Sequence, residues 1–341
     1  MIVLYILLAI FVFGVMILIH ELGHFLFAKL FKVKIEEFSI GMGPKLFTKE
    51  GKDGVKYSLR LFPIGGYVAM AGESEESEDP NAFNKKPAWQ RLIIIAAGAV
   101  MNLLLGIIIM VILTATTPRF GTTVIYDFQE NSVSNEYLMP NDKIIKVDGE
   151  SVNTSSELGY EIMRKGYEPI SITVIRDGNE ITFDKVSFPQ TLSEGVVFGS
   201  PDFIVYSEAR TFGSVMKNAF FSCKSTIKMV FDSIFDLISG RYGIDQMSGP
   251  IGVTGAITEA AKTSAYSLFY MVVVISMNLG IFNLLPIPAL DGGSILLLLI
   301  EIIIRKPIPQ KVEAIIRTVG FVLLIGLVII ISFKDIINLF N

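Results

Sequence analysis

The chain carries only two histidines, and both lie in one stretch, His20-Glu21-Leu22-Gly23-His24. On a helix, residues four apart share a face, so the two imidazoles can reach one metal ion. Glu21 sits beside them, where it can take a proton from a metal-bound water. Zinc lowers the pKa of such a water to about 7, giving hydroxide at neutral pH. Two imidazoles leave zinc underligated, because a catalytic site ordinarily uses three protein ligands plus water. With no third histidine, the missing ligand should be a carboxylate. Asp291 is the best candidate, an acid in the apolar stretch Asn283-Leu-Leu-Pro-Ile-Pro-Ala-Leu-Asp291-Gly-Gly293. Glu301 competes, but it sits near Arg305 and is expected to pair with it. The bland alternatives are interfacial histidines that cap a helix near Lys29, and Asp291 as the N-cap of a helix from Ser294.

The elements that must position these groups belong to a membrane protein. Of 341 residues 51% are hydrophobic and only 18% charged, below the usual quarter for soluble domains. Four stretches have the roughly 20 apolar residues that a helical crossing needs: 2–28, 92–113, 268–285 and 315–333. A further apolar run, 294–304, leaves five spans open. Pro286, Pro288, Gly292 and Gly293 break the chain between these last apolar runs. Such a break at membrane depth is tolerated only where protein buries it or it lines a cavity. The first segment lacks a basic leader and a cleavage site, so a retained span is expected rather than a signal peptide. His20 lies about 27 Å along a helix from Ile2, near the far side of a core about 30 Å thick.

Lys29, Lys32, Lys34, Lys85, Lys86 and Arg91 lie between the first two spans, and Arg305, Lys306 and Lys311 precede the last. Basic flanking loops stay in the cytoplasm. Both loops are therefore expected inside, with the N-terminus, the 114–267 region and the C-terminus outside. The net charge of −4 and the lack of a dense basic patch argue against nucleic-acid binding. Cys223, the single cysteine, can form no internal disulfide.

The segment Tyr57–Val68 alternates like a strand and is rich in glycine, which suggests a cytoplasmic hairpin or one dipping into the bilayer edge. The acidic run 73–79 is expected to be a solvated loop. Residues 120–190 alternate β-branched runs with turn signals, Asn141-Asp142, Asp148-Gly149 and Asp177-Gly178, and predict a small β domain. Apolar residues recur at helical spacing over 208–239, as for a helix lying on the outer membrane surface or packed on the β domain. Asn283 is a candidate to hold substrate backbone, because a helix must be unwound before its peptide bonds can be cut. It could equally hydrogen-bond a neighbouring span.

His20-Glu-Leu-Gly-His24 on a first span, with Asn283-x-x-Pro-x-Pro-x-Leu-Asp-Gly292 on a late one, resembles the site-2 protease family of intramembrane metalloproteases. The branch it resembles most is that of the bacterial regulator-of-sigma-E proteases. Gly41-Met-Gly-Pro44, Phe62-Pro-Ile-Gly-Gly-Tyr-Val68 and Ser248-Gly-Pro-Ile-Gly252 extend the likeness over nearly the whole chain. The resemblance implies zinc held by His20, His24 and Asp291, with Glu21 as general base. It implies a polytopic α-helical membrane protein of about four transmembrane helices. A re-entrant β-hairpin at 57–68 would align substrate, through Gly65, Gly66 and Tyr67. Inserted in the chain would be a PDZ-like, mostly β extracytoplasmic domain.

The expected division is 1–114 (first two spans and hairpin), 115–190 (PDZ-like domain), 191–267 (interfacial amphipathic segment) and 268–341 (C-terminal spans). Asn141 stands where that domain usually has glycine, and no clear carboxylate-binding loop is found. It is therefore expected to exclude bulky substrates rather than to bind peptide termini. The resemblance also implies a bacterial cytoplasmic membrane location, with membrane lipid around it. Its substrates would be transmembrane segments of single-span proteins already cut outside, such as anti-sigma factors or signal-peptide remnants. A metal transporter and a non-catalytic scaffold are the competing classes. The single compact ligand set, with an acid placed to activate water, speaks against both.

Overall fold

A computed structural model of the chain describes residues 2–73, 75–193, 195–241, 243, 246–306 and 308–340. In chain order the elements are α1 (Ile2–Leu30), β1 (Ile35–Glu50), β2 (Lys56–Met70), α2 (Ala88–Thr116), β3 (Arg119–Phe128), β4 (Lys143–Val147), β5 (Glu150–Ser151) and α3 (Ser155–Lys165). There follow β6 (Ile170–Arg176), β7 (Asn179–Val186), β8 (Gln190–Ser193), β9 (Val196–Gly199), β10 (Phe203–Ala209), α4 (Phe212–Ile238), α5 (Pro250–Thr263), α6 (Ala265–Leu284), α7 (Asp291–Ile304) and α8 (Gln310–Phe340). They form two units, one of residues 1–109 with 247–341, the other of residues 110–246.

In the first unit, and at the start of the second, the described residues include four helices long and apolar enough to cross a membrane. These are Leu4–Leu30, Ala88–Thr116, Ala265–Leu284 and Lys311–Ile337, the four read from the sequence. The run 294–304 falls inside α7, whose 14 residues reach only about 21 Å. It is too short for a fifth crossing.

The hairpin differs from its expected form. Residues 57–68 are not a hairpin by themselves; β2 pairs with the whole of β1. Run 35–40 of β1 lies between two runs of β2, with Phe38 opposite both Val68 and Tyr57. Run 45–50 pairs back on 56–60, through Lys45↔Arg60 and Glu50↔Lys56. The result is a curled sheet in the order 66–70, 35–40, 56–60, 45–50. Gly41 (φ +84°) lets β1 bend there, since a Cβ would stand 2.5 Å from the Phe62 carbonyl oxygen. Arg60 fastens the curl, donating to Ser39 Oγ (3.0 Å), the Gly43 carbonyl (2.7 Å), Glu37 (3.0 Å) and the Tyr67 hydroxyl. Burial pushes the Glu37 carboxyl up, but hydrogen bonds from Ser58, Lys45, Arg60 and Tyr67 prevail and hold it down at about 2. Phe25, Phe38, Val68, Met70 and Ile94 share one buried cluster, which seats the sheet on the end of α1 and the start of α2.

The proline break is folded tightly. Ala289 adopts a left-handed φ of +82°, uncommon for a residue with a side chain. A Cβ on Gly292 would lie 2.0 Å from the Leu285 carbonyl oxygen, so only glycine permits this return. α8 presses on the same turn at Gly320, where a Cβ would stand 2.3 Å from Pro288. α7 starts at Asp291 itself, with Leu290 as N-cap, so Asp291 is a first-turn acid and not the N-cap of the bland alternative. Glu301 pairs with Arg91 of α2 at 2.6 Å, not with Arg305 as expected. Arg305 has turned to φ +57° as the C-cap of α7.

In the second unit a sheet of order β10-β3-β4-β6-β7, with β5 beside β4, covers a core of Ile125, Ile144, Leu158, Ile172 and Val174. Asp148 and Asp177 sit at positive φ before their glycines, as the turn signals predict. The sheet does not end at 190, because β10 pairs along β3 from Phe203 to Ala209. α4 packs its charged face on α3. Arg164 bonds Asp236 at 2.8 Å, Lys228 bonds Glu161 at 2.8 Å, and Tyr160 donates to Asp232 at 2.9 Å. Phe212, Phe220, Phe235 and Ile238 stay exposed on α4, while Cys223 is buried.

The Ser248–Gly252 motif has a structural role in the first unit. Buried Asp335 of α8 accepts from the backbone N–H of Gly249 (2.9 Å) and Gly252 (2.8 Å) at the start of α5. A helix start leaves such N–H groups without partners and favours an acid there. A Cβ on Gly249 would lie 2.9 Å from the Asp335 carboxylate. We expect Asp335→Ala to cost about 2–4 kcal/mol by leaving two donors unpaired. Asp335→Asn should cost markedly less, and thermal unfolding in detergent distinguishes the two.

Candidate metal centre and active site

Two glycines bring α1 and α2 into backbone contact. A Cβ on Gly23 would lie 2.4 Å from the Ala97 carbonyl oxygen, and one on Gly98 would lie 2.4 Å from His24 Nε2. Both imidazoles therefore pack against α2 at a residue without a side chain, their planes nearly perpendicular at 80°. His24 Nδ1 is 2.8 Å from the Ile94 carbonyl oxygen. That oxygen only accepts, so Nδ1 carries the proton and Nε2 presents a lone pair. His20 is buried, with its Nδ1 3.3 Å from the side-chain amide of Asn102.

The break then delivers Asp291. Its Oδ2 lies 3.1 Å from His20 Nε2 and 3.4 Å from His24 Nε2, and the two Nε2 atoms are 3.1 Å apart. Zinc bonds of about 2.0–2.2 Å in a tetrahedron separate ligand atoms by about 3.3–3.5 Å. The observed triangle is close to one face of that tetrahedron. Asp291 Oδ2 is buried with no properly aligned hydrogen-bond donor. An orphaned anion beside two imidazole nitrogens asks for a cation, and two nitrogens with one carboxylate suit zinc. These three residues are also the one group among the described residues with metal-ligand spacing.

Glu21 lines the same cavity, of about 240 Å³, with Tyr67, Val68, Leu290 and Ser294. The Glu21 carboxylate accepts from the Val68 backbone N–H, and a Cβ on Gly66 would stand 3.2 Å from Glu21 Cγ. The sheet run 66–70 pairs with 35–40 on one side and, among the described residues, with no strand on the other. A bare β edge thus borders the cavity.

The structure gathers His20, Glu21, His24, Asp291, Gly66 and Tyr67. Gly65 faces Met42, where a Cβ would lie 2.8 Å away, and does not line the cavity. Asn283, on the last turn of α6, does not line it either. Four residues escaped the sequence reading: Gly98, Asn102, Glu73 and Arg317. Asn102 could have been found as a polar side chain within a span, whereas the other three gave no signal. Glu73 opens the run expected to be solvated, in which Ser74 lies outside the described residues. Instead Glu73 lines this cavity and a neighbouring one of about 450 Å³, as does Arg317. Burial pushes its carboxyl up to about 7.

Gly98→Ala tests the packing. The added methyl must displace His24, so purified protein should hold at least tenfold less zinc with native helix content by circular dichroism. Unchanged zinc would show that α2 yields instead.

The model of Peptidase family M50 matches residues 8–327. A protein of Clostridium perfringens named as a zinc metalloprotease is 36% identical over 336 residues, 98% of each chain. One of Fusobacterium nucleatum, named likewise, is 35% identical over 98% of this chain and 99% of its own. The regulator of sigma-W protease of Bacillus subtilis is 28% identical over 96% of this chain and 97% of its own. With the imidazole pair, the adjacent Glu21 and the Asp291 carboxylate in one cavity, the chain belongs to peptidase family M50, the zinc metalloproteases of site-2 type.

Proposed function

We propose that this chain cuts single-span membrane proteins within the bilayer, on a stretch of substrate held extended along the run 66–70. The carrying observation is the shared cavity. His20, His24 and Asp291 converge there, Glu21 stands beside them, and a sheet edge with no strand on its outer side among the described residues borders it. A helical substrate satisfies its own amides and hides the scissile carbonyl. Once unwound in hydrocarbon it has polar groups to satisfy, at several kcal/mol each. A strand edge meets that need by β-augmentation, reading main chain rather than side chains. Asn283, at the end of α6, is a second candidate for the substrate's backbone.

His20, His24 and Asp291 would hold the metal. When bound, zinc supplies Lewis acidity and a water of lowered pKa. Glu21 takes the proton from the attacking water and returns it to the leaving amine, general acid–base work that contributes about 10²–10⁴-fold. The α2 carbonyl at Ile94 keeps the His24 proton on Nδ1, away from the reacting atoms.

The basic loops support an active site near the cytoplasmic face, with the 114–267 region outside. Within that region residues 115–190, whose sheet β10 joins, are read as PDZ-like and as a filter against uncut, bulky substrates. The relative in B. subtilis is named for control of a sigma factor. By that likeness anti-sigma factors trimmed outside are the leading substrates, and signal-peptide remnants the next.

Glu21→Gln should keep zinc and lose at least 100-fold in cleavage of a trimmed single-span substrate in proteoliposomes. Full cleavage with zinc bound would defeat the mechanism. Val68→Pro removes the outward N–H that the edge offers to Glu21 and, once substrate enters, to its backbone, without touching a metal ligand. It should keep native zinc content and slow cleavage at least tenfold, and native rates would remove the edge from the account.

A further inference from the structure

We propose that Asn102 is a positioning residue for His20, its side-chain oxygen accepting a hydrogen bond from Nδ1–H of that imidazole. The inference rests on the metal reading above and adds a member that no ligand motif contains.

Asn102 is fully buried in a membrane-spanning helix, where an amide without a partner is costly. Among the described residues its side chain has one polar neighbour within hydrogen-bond range, His20 Nδ1 at 3.3 Å. Its position is fixed from behind, because the buried Ser276 hydroxyl of α6 donates to its backbone carbonyl at 2.8 Å. α2 cannot rotate there without breaking that bond.

The direction of the His20 contact follows from what Nε2 must do. Nε2 points at Asp291 Oδ2 and at His24 Nε2, so as a ligand it offers a lone pair and the ring proton sits on Nδ1. A protonated Nδ1 needs an acceptor. The two ends of an amide have nearly the same shape, and a half-turn exchanges them. In either orientation one end of the amide is left without a partner, so the choice falls to what Nδ1 needs. With the oxygen at Nδ1, His20 is held in its ligating tautomer. Ile94, Gly98 and Asn102 thus form one stripe of α2, four residues apart: an acceptor for His24, a gap for both rings and an acceptor for His20. Partners of this kind orient metal-ligating histidines, and losing one costs about 10–100-fold in metal affinity.

The test is zinc affinity of the full-length protein in detergent, by chelator competition, for native, Asn102→Leu and Asn102→Asp. The leucine variant should bind zinc about 10–100-fold more weakly. Aspartate only accepts, so it should match or exceed native affinity. Native affinity in the leucine variant would overturn the proposal. So would a tenfold loss in the aspartate variant, because a carboxylate would then face a lone pair on Nδ1. If the leucine variant does not fold, the aspartate result decides by itself. A native protein that binds no zinc at all would instead remove the metal reading beneath it.

Discussion

The site depends on how closely α2 can lie against α1. Two imidazoles on successive turns of one helix point their nitrogens at whatever packs beside them, and any side chain at residue 98 would occupy the space of the ligand atoms. Glycine there turns a helix–helix contact into a cradle. In a bilayer, small residues at helix crossings ordinarily serve close packing. Here the closeness also puts a main-chain acceptor on His24, so orientation of the ring comes from backbone geometry.

Asp291, the proposed third ligand, is fixed by a different device. A continuous helix through 284–304 would satisfy its own amides. Two prolines and a left-handed Ala289 interrupt it, and Gly292 and Gly293 let the chain return on itself. The turn survives because protein covers it. α8 contacts Pro288 at Gly320, and the far part of the same helix is fastened to α5 through Asp335. One long helix therefore braces the most irregular backbone of the membrane unit at one point and anchors at another.

Much of this was legible in the sequence because it is written in local signals. Apolar runs of fixed length gave the four spans, and Asp-Gly pairs gave the turns of the β unit. The lone histidine pair with a distant acid pointed to the three side chains that converge in the cavity. What was not legible depends on contacts between distant segments. The partner of 57–68 is β1, whose bulged glycines hide its strand period. Arg91 captures Glu301 from 210 residues away, where sequence spacing favoured Arg305. β10 joins the sheet after a separate small hairpin. Nothing in a stretch as bland as Ala96-Ala97-Gly98-Ala99 marks the residue against which both histidines rest.

The run 66–70, which among the described residues has a strand on one side only, has one more consequence. In hydrocarbon, a bare strand edge would be among the most expensive surfaces a protein could present. At rest, Glu21 takes up one of its donors, and an outward group without a protein partner needs water. Hydrolysis consumes water as well. The cavity's hydration thus has two dependents, a reactant supply and an exposed backbone. A membrane enzyme that dried its site to resemble the surrounding lipid would lose the strand edge together with the reaction.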